Sequence, residues 1–526
     1  MKSWSASRWI LLLLLTVPTP AGAGSVEDGY TCLERLDIPC AVAASKRALV
    51  ETPGDPRALV LAAQVAFHQG RTVEAARRLD AAAAAMDTVP RGLEDLVALY
   101  RNTAEATAEF EERIRNGVCI RWAPGPDAIL LEEAFGVLSS ARARLRPIFG
   151  ELPPDPVLVE IYPSGRRFRL ATGFGLEPDE GGGVVGLSRW ARILLVSPRS
   201  VARGYAWKDS LVHEYVHQIV SWVSTDRAPV WLQEGIARYL ERCWRQVPDA
   251  SLSPYEQSLV ALALGQDDLV TFEEIHPSIA FLPTTERKAL AYAQVKILVA
   301  TAVGRGGEAV LRSTLQAVRS GGDAAEALAS AAGYASFEAL FEDSLVALRA
   351  MDLVQRRLEA PQVVFEGEGD EYATDPLLAR RRDLAEAARL GALLLEAGRP
   401  RAALVEYARA HPSDEPPSPL VAAGIARCRH GLGDPAGALA VLRGSVADYP
   451  EFADTWKAIA DLERASGHVA EALAACRAAA DVDPFDPQVQ DCIADLGRKL
   501  GHYELADAAA RARRILVGGA DPGSNE

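Results

Sequence analysis

Four residues carry the chemistry that this sequence could perform. His213 and His217 stand four positions apart in the stretch LVHEYVHQIV, Leu211 to Val220, and Glu214 directly follows the first of them. On an α-helix, positions i and i+4 lie on one face, so the two imidazoles project to a common point. Glu214 falls about 100° further round. That places its carboxylate beside a metal position without occupying it, where it could take a proton from a water acidified by the ion. The neighbours Leu211, Val212, Val216, Ile219 and Val220 are apolar, as a helix crossing a core requires. A catalytic zinc site wants three protein ligands and one open position, and two histidines with one glutamate are a standard set. Glu234, in PVWLQEGIARYLE, follows His217 after sixteen intervening residues and is the candidate third ligand. Its helix, reached through the turn STDRAP, is expected to pack antiparallel to the first, with Gly235 allowing close approach where the two cross. Tyr239 and Tyr292 could each donate to the oxyanion of a tetrahedral intermediate, or could simply be packing residues. The strand at Val184 to Ser188 could pair with an extended peptide substrate, or be an ordinary edge hairpin.

HEYVH followed by WLQEGIARYLE resembles the HExxH…WLxEGxAxY pattern of the gluzincin metallopeptidases, the clan that includes thermolysin. The segment from the IRW strand to AYAQ, Ala291 to Gln294, is similar to the peptidase MA-like domain of exported bacterial proteins that carry tetratricopeptide repeats. The resemblance spans about residues 118 to 350. It implies a zincin-like α+β domain, a small sheet plus active-site helices, in which His213, His217 and Glu234 bind one Zn2+ ion. It also implies that Glu214 is the general base in hydrolysing a peptide bond. Thermolysin-like enzymes support the first histidine with an aspartate four residues after the glutamate ligand. Here that position is Arg238, so the support for His213 must differ.

The elements that must position these residues are legible around them. VCIRWAP and PVLVEIYPS are β-branched and aromatic runs bounded by Pro and Gly, and read as strands. Between them AILLEEAFGVLSSARARLRPIFG has helical spacing and ends at a glycine. After the loop LEPDEGGG, whose glycine run lacks the GK[ST] of a phosphate loop, VVGLSRWARILLVSP reads as a hairpin. Helices are expected from Ser210 to about Met351.

All-α repeat segments flank this domain. Gly433, Gly467 and Gly501 are 34 residues apart; Ala438, Ala472 and Ala506 keep the same step, as do Pro450 and Pro484. A glycine ending helix A, a small residue letting helix B approach and a closing proline at this period form the tetratricopeptide pattern. Gly70 with Ala75 repeats it near the N-terminus. The expected organisation is a signal peptide at 1–23, helical repeats at 24–117, the peptidase-like domain at 118–351, a linker at 352–376, further repeats at 377–516 and a disordered tail at 517–526.

The first residues give Lys2 and Arg8, an apolar run from Trp9 to Val17 and Ala21-Gly22-Ala23, which reads as an export signal cut after Ala23. The apolar run is far short of the ~20 residues of a membrane span. The expected location is periplasmic or extracellular. The balance of 56 Lys+Arg against 71 Asp+Glu, formally −15, argues against nucleic acid and anionic lipid as partners. A peptide or protein substrate, and a protein partner on the repeats, are the expected ligands. Seven cysteines include no CxxC; Cys32 with Cys40 and Cys476 with Cys492 could be disulfides or buried free thiols. Two other classes compete with the zinc peptidase: a repeat-based binding scaffold with a non-catalytic peptidase-like domain, and a zinc amidase acting on cell-wall peptides.

Overall fold

The computed structural model describes residues 24–174, 183–360, 363–367, 371–411 and 417–518. The stretch read as an export signal, most of the LEPDEGGG loop and almost all of the tail lie outside the described residues. The architecture is mostly helical around one small mixed sheet.

Five antiparallel helices lead the chain: α1 (Gly24–Glu34), α2 (Ile38–Glu51), α3 (Pro56–His68), α4 (Thr72–Ala84) and α5 (Arg91–Ala106). Asp37 and Asp55 cap α2 and α3, each side chain accepting a backbone N–H of the first turn. Strands β1 (Glu111–Arg115) and β2 (Val118–Trp122) follow as a hairpin, then α6 (Leu131–Phe149), β3 (Val157–Tyr162), α7 (Gly165–Thr172), β4 (Gly186–Arg189) and β5 (Arg192–Val196). Strand order is β1-β2-β3-β5-β4, with the three central strands parallel and both outer strands antiparallel to their neighbours. The strand β1 departs from the expected sheet, which began at Val118. Its polar sequence EERIR is largely exposed, so it carries no apolar alternation to announce it.

The sheet is covered on both faces. Ile120, Val159 and Ile193 share a register row and pack, with Trp122 and Ile161, in one core with α6. The opposite face presents Arg121, Leu158, Glu160 and Arg192, against which the N-terminal helices sit. This double burial explains why every position of β3 and β5 is buried and the strands lack the in–out alternation of a half-exposed sheet.

The helices that carry the candidate residues come next: α8 (Trp207–Ser224), α9 (Val230–Leu240), α10 (Pro254–Gln266), α11 (Phe272–Ile275), α12 (Thr285–Gly306), α13 (Ala309–Arg319), α14 (Ala324–Ala331) and α15 (Phe337–Arg349). The segment expected to be a free linker is instead strapped to the domain. Phe365 bridges Val201, Ala202 N–H donates to Val364 O at 2.8 Å, and Leu358 is buried with Tyr449 and Phe452. Helical hairpins then run through α16 (Arg382–Glu396), α17 (Pro400–Arg409), α18 (Pro419–Gly431), α19 (Pro435–Asp448), α20 (Ala453–Ala465), α21 (Val469–Val482), α22 (Pro487–Lys499) and α23 (Tyr503–Leu516). Their periodic residues have a shared physical reason. Gly398, Gly433, Gly467 and Gly501 all hold φ between 71° and 84°, which L side chains resist, and Ala403, Ala438, Ala472 and Ala506 are fully buried where paired helices touch.

Candidate metal centre

Helix α8 presents His213 and His217 one turn apart, with ring centroids 4.7 Å apart and their Nε2 atoms 3.1 Å apart. Helix α9 brings Glu234 to the same point: its carboxylate oxygens lie 3.5 Å from His213 Nε2 and 3.7 Å from His217 Nε2. All three ligating atoms lie within 4.8 Å of one another, and all three residues are half-buried at the wall of an open cleft. Two neutral imidazole nitrogens and one carboxylate oxygen, converging from two rigid helices with one side open, are a donor set that can hold a divalent metal ion. Left to themselves these groups share protons: burial alone would raise the pKa of Glu234, but His217 and His213 outweigh burial and hold it down at about 2, while Glu234 and Glu241 outweigh burial at His213 and push it up to about 10.

The two helices are locked in place by their other faces. Leu211, Val212, Val216, Ile219 and Val220 are fully buried in the domain core. The close approach expected of Gly235 occurs, but not against α8. A Cβ at Gly235 would stand 2.9 Å from Val295 O and from Val299 Cγ2, so it is α12 that demands the glycine. That contact also determines what else reaches the site, because α12 carries Tyr292.

His213 is oriented by a residue that sequence reasoning missed. Its Nδ1 lies 3.2 Å from Glu241 Oε2. The carboxylate accepts a hydrogen bond from Nδ1–H, so Nε2 is the nitrogen turned toward Glu234 and His217. Glu241 sits just past α9, seven residues after Glu234 and therefore two turns along the same face. Arg238, between them, steers the stripe: it pairs with Glu256 at 3.4 Å and lies over the Tyr292 ring at 5.3 Å. The support for His213, expected to differ because Arg238 stands four residues after the ligand, comes from Glu241, three residues further on. An acidic residue seven after the EGxA glutamate was the available signal.

Glu214 stands apart from the three donors. Burial, reinforced by Glu234, raises its carboxyl to about 7, while His213 and a hydrogen bond from the Ser188 backbone pull the other way. Ser188 lies on β4, the outer strand of the sheet, so the strand edge and the carboxylate are tied together. Gly186 makes room for this: a Cβ there would stand 2.9 Å from Glu214 Oε1. Tyr292 lines the same cleft as the three donors and Glu214. Tyr239 does not. It is buried near Glu308 and Arg144, away from the cleft lining. Of the two tyrosines considered, Tyr292 alone is positioned to donate into the cleft.

Each repeat array meets this domain at a different place. From the N-terminal side, Phe67 stacks on Tyr100 with centroids 3.8 Å apart, and the Arg192 guanidinium lies 4.3 Å from the Phe67 ring. Arg192 pairs with Glu160 at 3.0 Å, both fully buried, and Arg121 joins Glu160 at 2.9 Å while donating to Gly70 O. Tyr162 completes the set, its hydroxyl donating to Glu160 at 2.8 Å. From the C-terminal side, Val482 O accepts from Tyr205 N–H at 3.1 Å, and Lys208 at the start of α8 pairs with Asp481 at 2.7 Å. Two disulfides, Cys32–Cys40 and Cys476–Cys492, each join neighbouring helices within an array; Cys119, Cys243 and Cys428 are free and buried.

Residues 138–346 match the family model described as the Peptidase MA superfamily, and residues 429–496 match the tetratricopeptide repeat. The chain therefore carries a Peptidase MA superfamily domain together with tetratricopeptide repeats, as its residues suggested. No curated protein matches it. Among solved structures it is similar to the APC/C hetero-tetramer Cut9–Hcn1, with 12% identity over 94% of this chain and 79% of that one and a TM-score of 0.25. It is also similar to Naa15/Naa10 bound to HypK-THB, with 13% identity over 93% and 68% of the two chains and a TM-score of 0.18. No helix among the described residues is long and apolar enough to cross a membrane.

Proposed function

We propose that this chain is an exported zinc-dependent peptidase in which His213, His217 and Glu234 hold the metal and Glu214 is the general base. The observation that carries the reading is the convergence of three half-buried donors within 4.8 Å of one another on an open cleft, inside the segment similar to the Peptidase MA superfamily. A zinc ion bound there would supply a Lewis acid for a peptide carbonyl and would lower the pKa of water. The residues of the chain account for the rest. Glu214, beside the donors but not among them, accepts the proton of the attacking water and passes it to the leaving amine nitrogen. Glu241 fixes the tautomer of His213, so that Nε2 would be the nitrogen to hold the ion. Tyr292 donates its hydroxyl proton as a hydrogen bond to the oxygen that develops negative charge.

Export is supported by the two disulfides, since such bonds persist in oxidising compartments. The C-terminal repeats, similar to tetratricopeptide repeats, would serve a protein partner. The test is hydrolysis of unstructured peptides by the purified chain loaded with zinc. The parent is expected to cleave them, and Glu214→Gln is expected to retain zinc while losing cleavage. A Glu214→Gln variant as active as the parent overturns the assignment.

A further inference from the structure

The cleft at the metal donors does not stop at the peptidase-like domain. It is a continuous space of ≈ 1540 Å³ that runs from His213, His217 and Glu234, along the β4 edge, to the first two helices of the chain. That exceeds the ~300–1,000 Å³ of ordinary small-molecule pockets. At its far end stand Leu33, Leu36, Ile38 and Val42, all half-buried and all apolar. Nothing about this corner is loose. Leu36 holds a left-handed φ of 57° in the turn between α1 and α2, Asp37 caps α2 by accepting from Cys40 N–H at 3.0 Å, and Cys32–Cys40 closes the turn covalently. The whole array is in turn fastened to the sheet by the buried Arg192–Glu160–Arg121 cluster. Along the side wall, β4 pairs among the described residues with β5 alone, and Leu187 on it lines the cleft.

We infer that the N-terminal helices form the distal subsite of the cleft, so that the substrate is an extended polypeptide segment whose apolar side chains are read by Leu36 and Ile38. A free strand edge recognises backbone and leaves alternate side chains to neighbouring pockets. An apolar corner continuous with this edge is built from α1 and α2. The length and the apolar end of the cleft therefore select polypeptide over a single amino acid or a dipeptide. This inference rests on the peptidase reading for the identity of the site, but its test separates the two.

The probes are fluorescein-labelled peptides of about twelve residues, one with leucine at regular intervals and one with serine in its place. Binding is read by anisotropy on the full chain carrying Glu214→Gln and zinc, and cleavage on the parent. The leucine peptide is expected to bind ~10-fold or more tightly than the serine peptide, as burial of an apolar side chain implies. Ile38→Glu is expected to erase that preference and leave the serine peptide's affinity unchanged, with Ile38→Ser intermediate and thermal melting confirming that both remain folded. Equal affinity of the starting protein for the two peptides, or an unchanged preference in folded Ile38→Glu and Ile38→Ser, overturns the inference. A leucine preference that depends on Ile38 without any cleavage by the parent supports the subsite and overturns the peptidase reading instead. Cleavage by the parent with no effect at Ile38 does the reverse.

Discussion

Both ends of this chain are helical arrays built on similar repeat residues, yet they meet the central domain in opposite ways. The N-terminal array lies on one face of the sheet, fixed by two arginines and a glutamate, of which Arg192 and Glu160 are fully buried, and its first two helices line the cleft. The C-terminal array meets the start of α8 through Val482 and Asp481, and among the described residues none of its side chains lines the cleft. Identical repeat logic thus serves two ends. One array lines the cleft, while the other holds the first turn of the helix that carries the histidines.

The largest effect expected within this comparison concerns the central domain itself. Glu214→Gln should lower peptide cleavage by ~10²–10⁴-fold, the usual contribution of a general base, with zinc content and melting temperature unchanged. Replacing Glu241 with Gln should weaken zinc affinity ~10–100-fold, measured by competition with a chelator, because the proton on His213 Nδ1 loses its carboxylate acceptor. Next comes the wall. Gly186→Ala places a methyl 2.9 Å from Glu214 Oε1, and displacement of that carboxylate should cut kcat by as much as ~10²-fold while zinc stays bound.

Two further changes contrast the arrays directly. Glu160→Gln leaves Arg192 buried without its charge partner and should cost about 3–5 kcal/mol in denaturant unfolding. Lys208→Met removes a largely buried ammonium from two half-exposed carboxylates, Asp481 and Glu133, which water can still solvate, and should cost less, about 1 kcal/mol. Equal losses would mean that the two docking surfaces are equivalent after all. Between these two costs lie the disulfides: each closes a short loop, of 8 residues at Cys32–Cys40 and 16 at Cys476–Cys492, so serine replacements should cost about 2–3 kcal/mol each. Loss of Cys32–Cys40 should also raise KM for apolar peptides. Loss of Cys476–Cys492 should leave KM as it was.

What could be read from the sequence follows the range of the forces involved. The i, i+4 histidines and the 34-residue glycines were legible because local geometry alone gives them meaning: a shared helix face in one case, a positive φ in the other. Glu234 was legible because its context is nearly as local, one turn and one helix away. Glu241 was not singled out, although two helical turns separate it from Glu234, because nothing in its neighbourhood marks it until His213 is seen to approach. The true partner of Gly235 was equally hidden, since α12 lies some sixty residues downstream and only packing reveals that Val295 needs the space. β1 escaped because a polar edge strand has no periodicity of its own, and the segment after Met351 looked free because its anchors, Phe365 and Leu358, are single apolar residues in an aperiodic stretch. The wall formed by α1 and α2 is the most distant relation of all, linking residues 33–42 to residues 213–234 through the sheet.

The central claim is that two helices deliver three ligands to one ion. Zinc content per chain by mass spectrometry of the purified protein, alongside His217→Ala and Glu234→Ala, tests it most directly. One equivalent of zinc in the parent, lost in both variants that still fold, is the expected result. A folded parent that binds no stoichiometric zinc, or variants that keep it, would contradict the account.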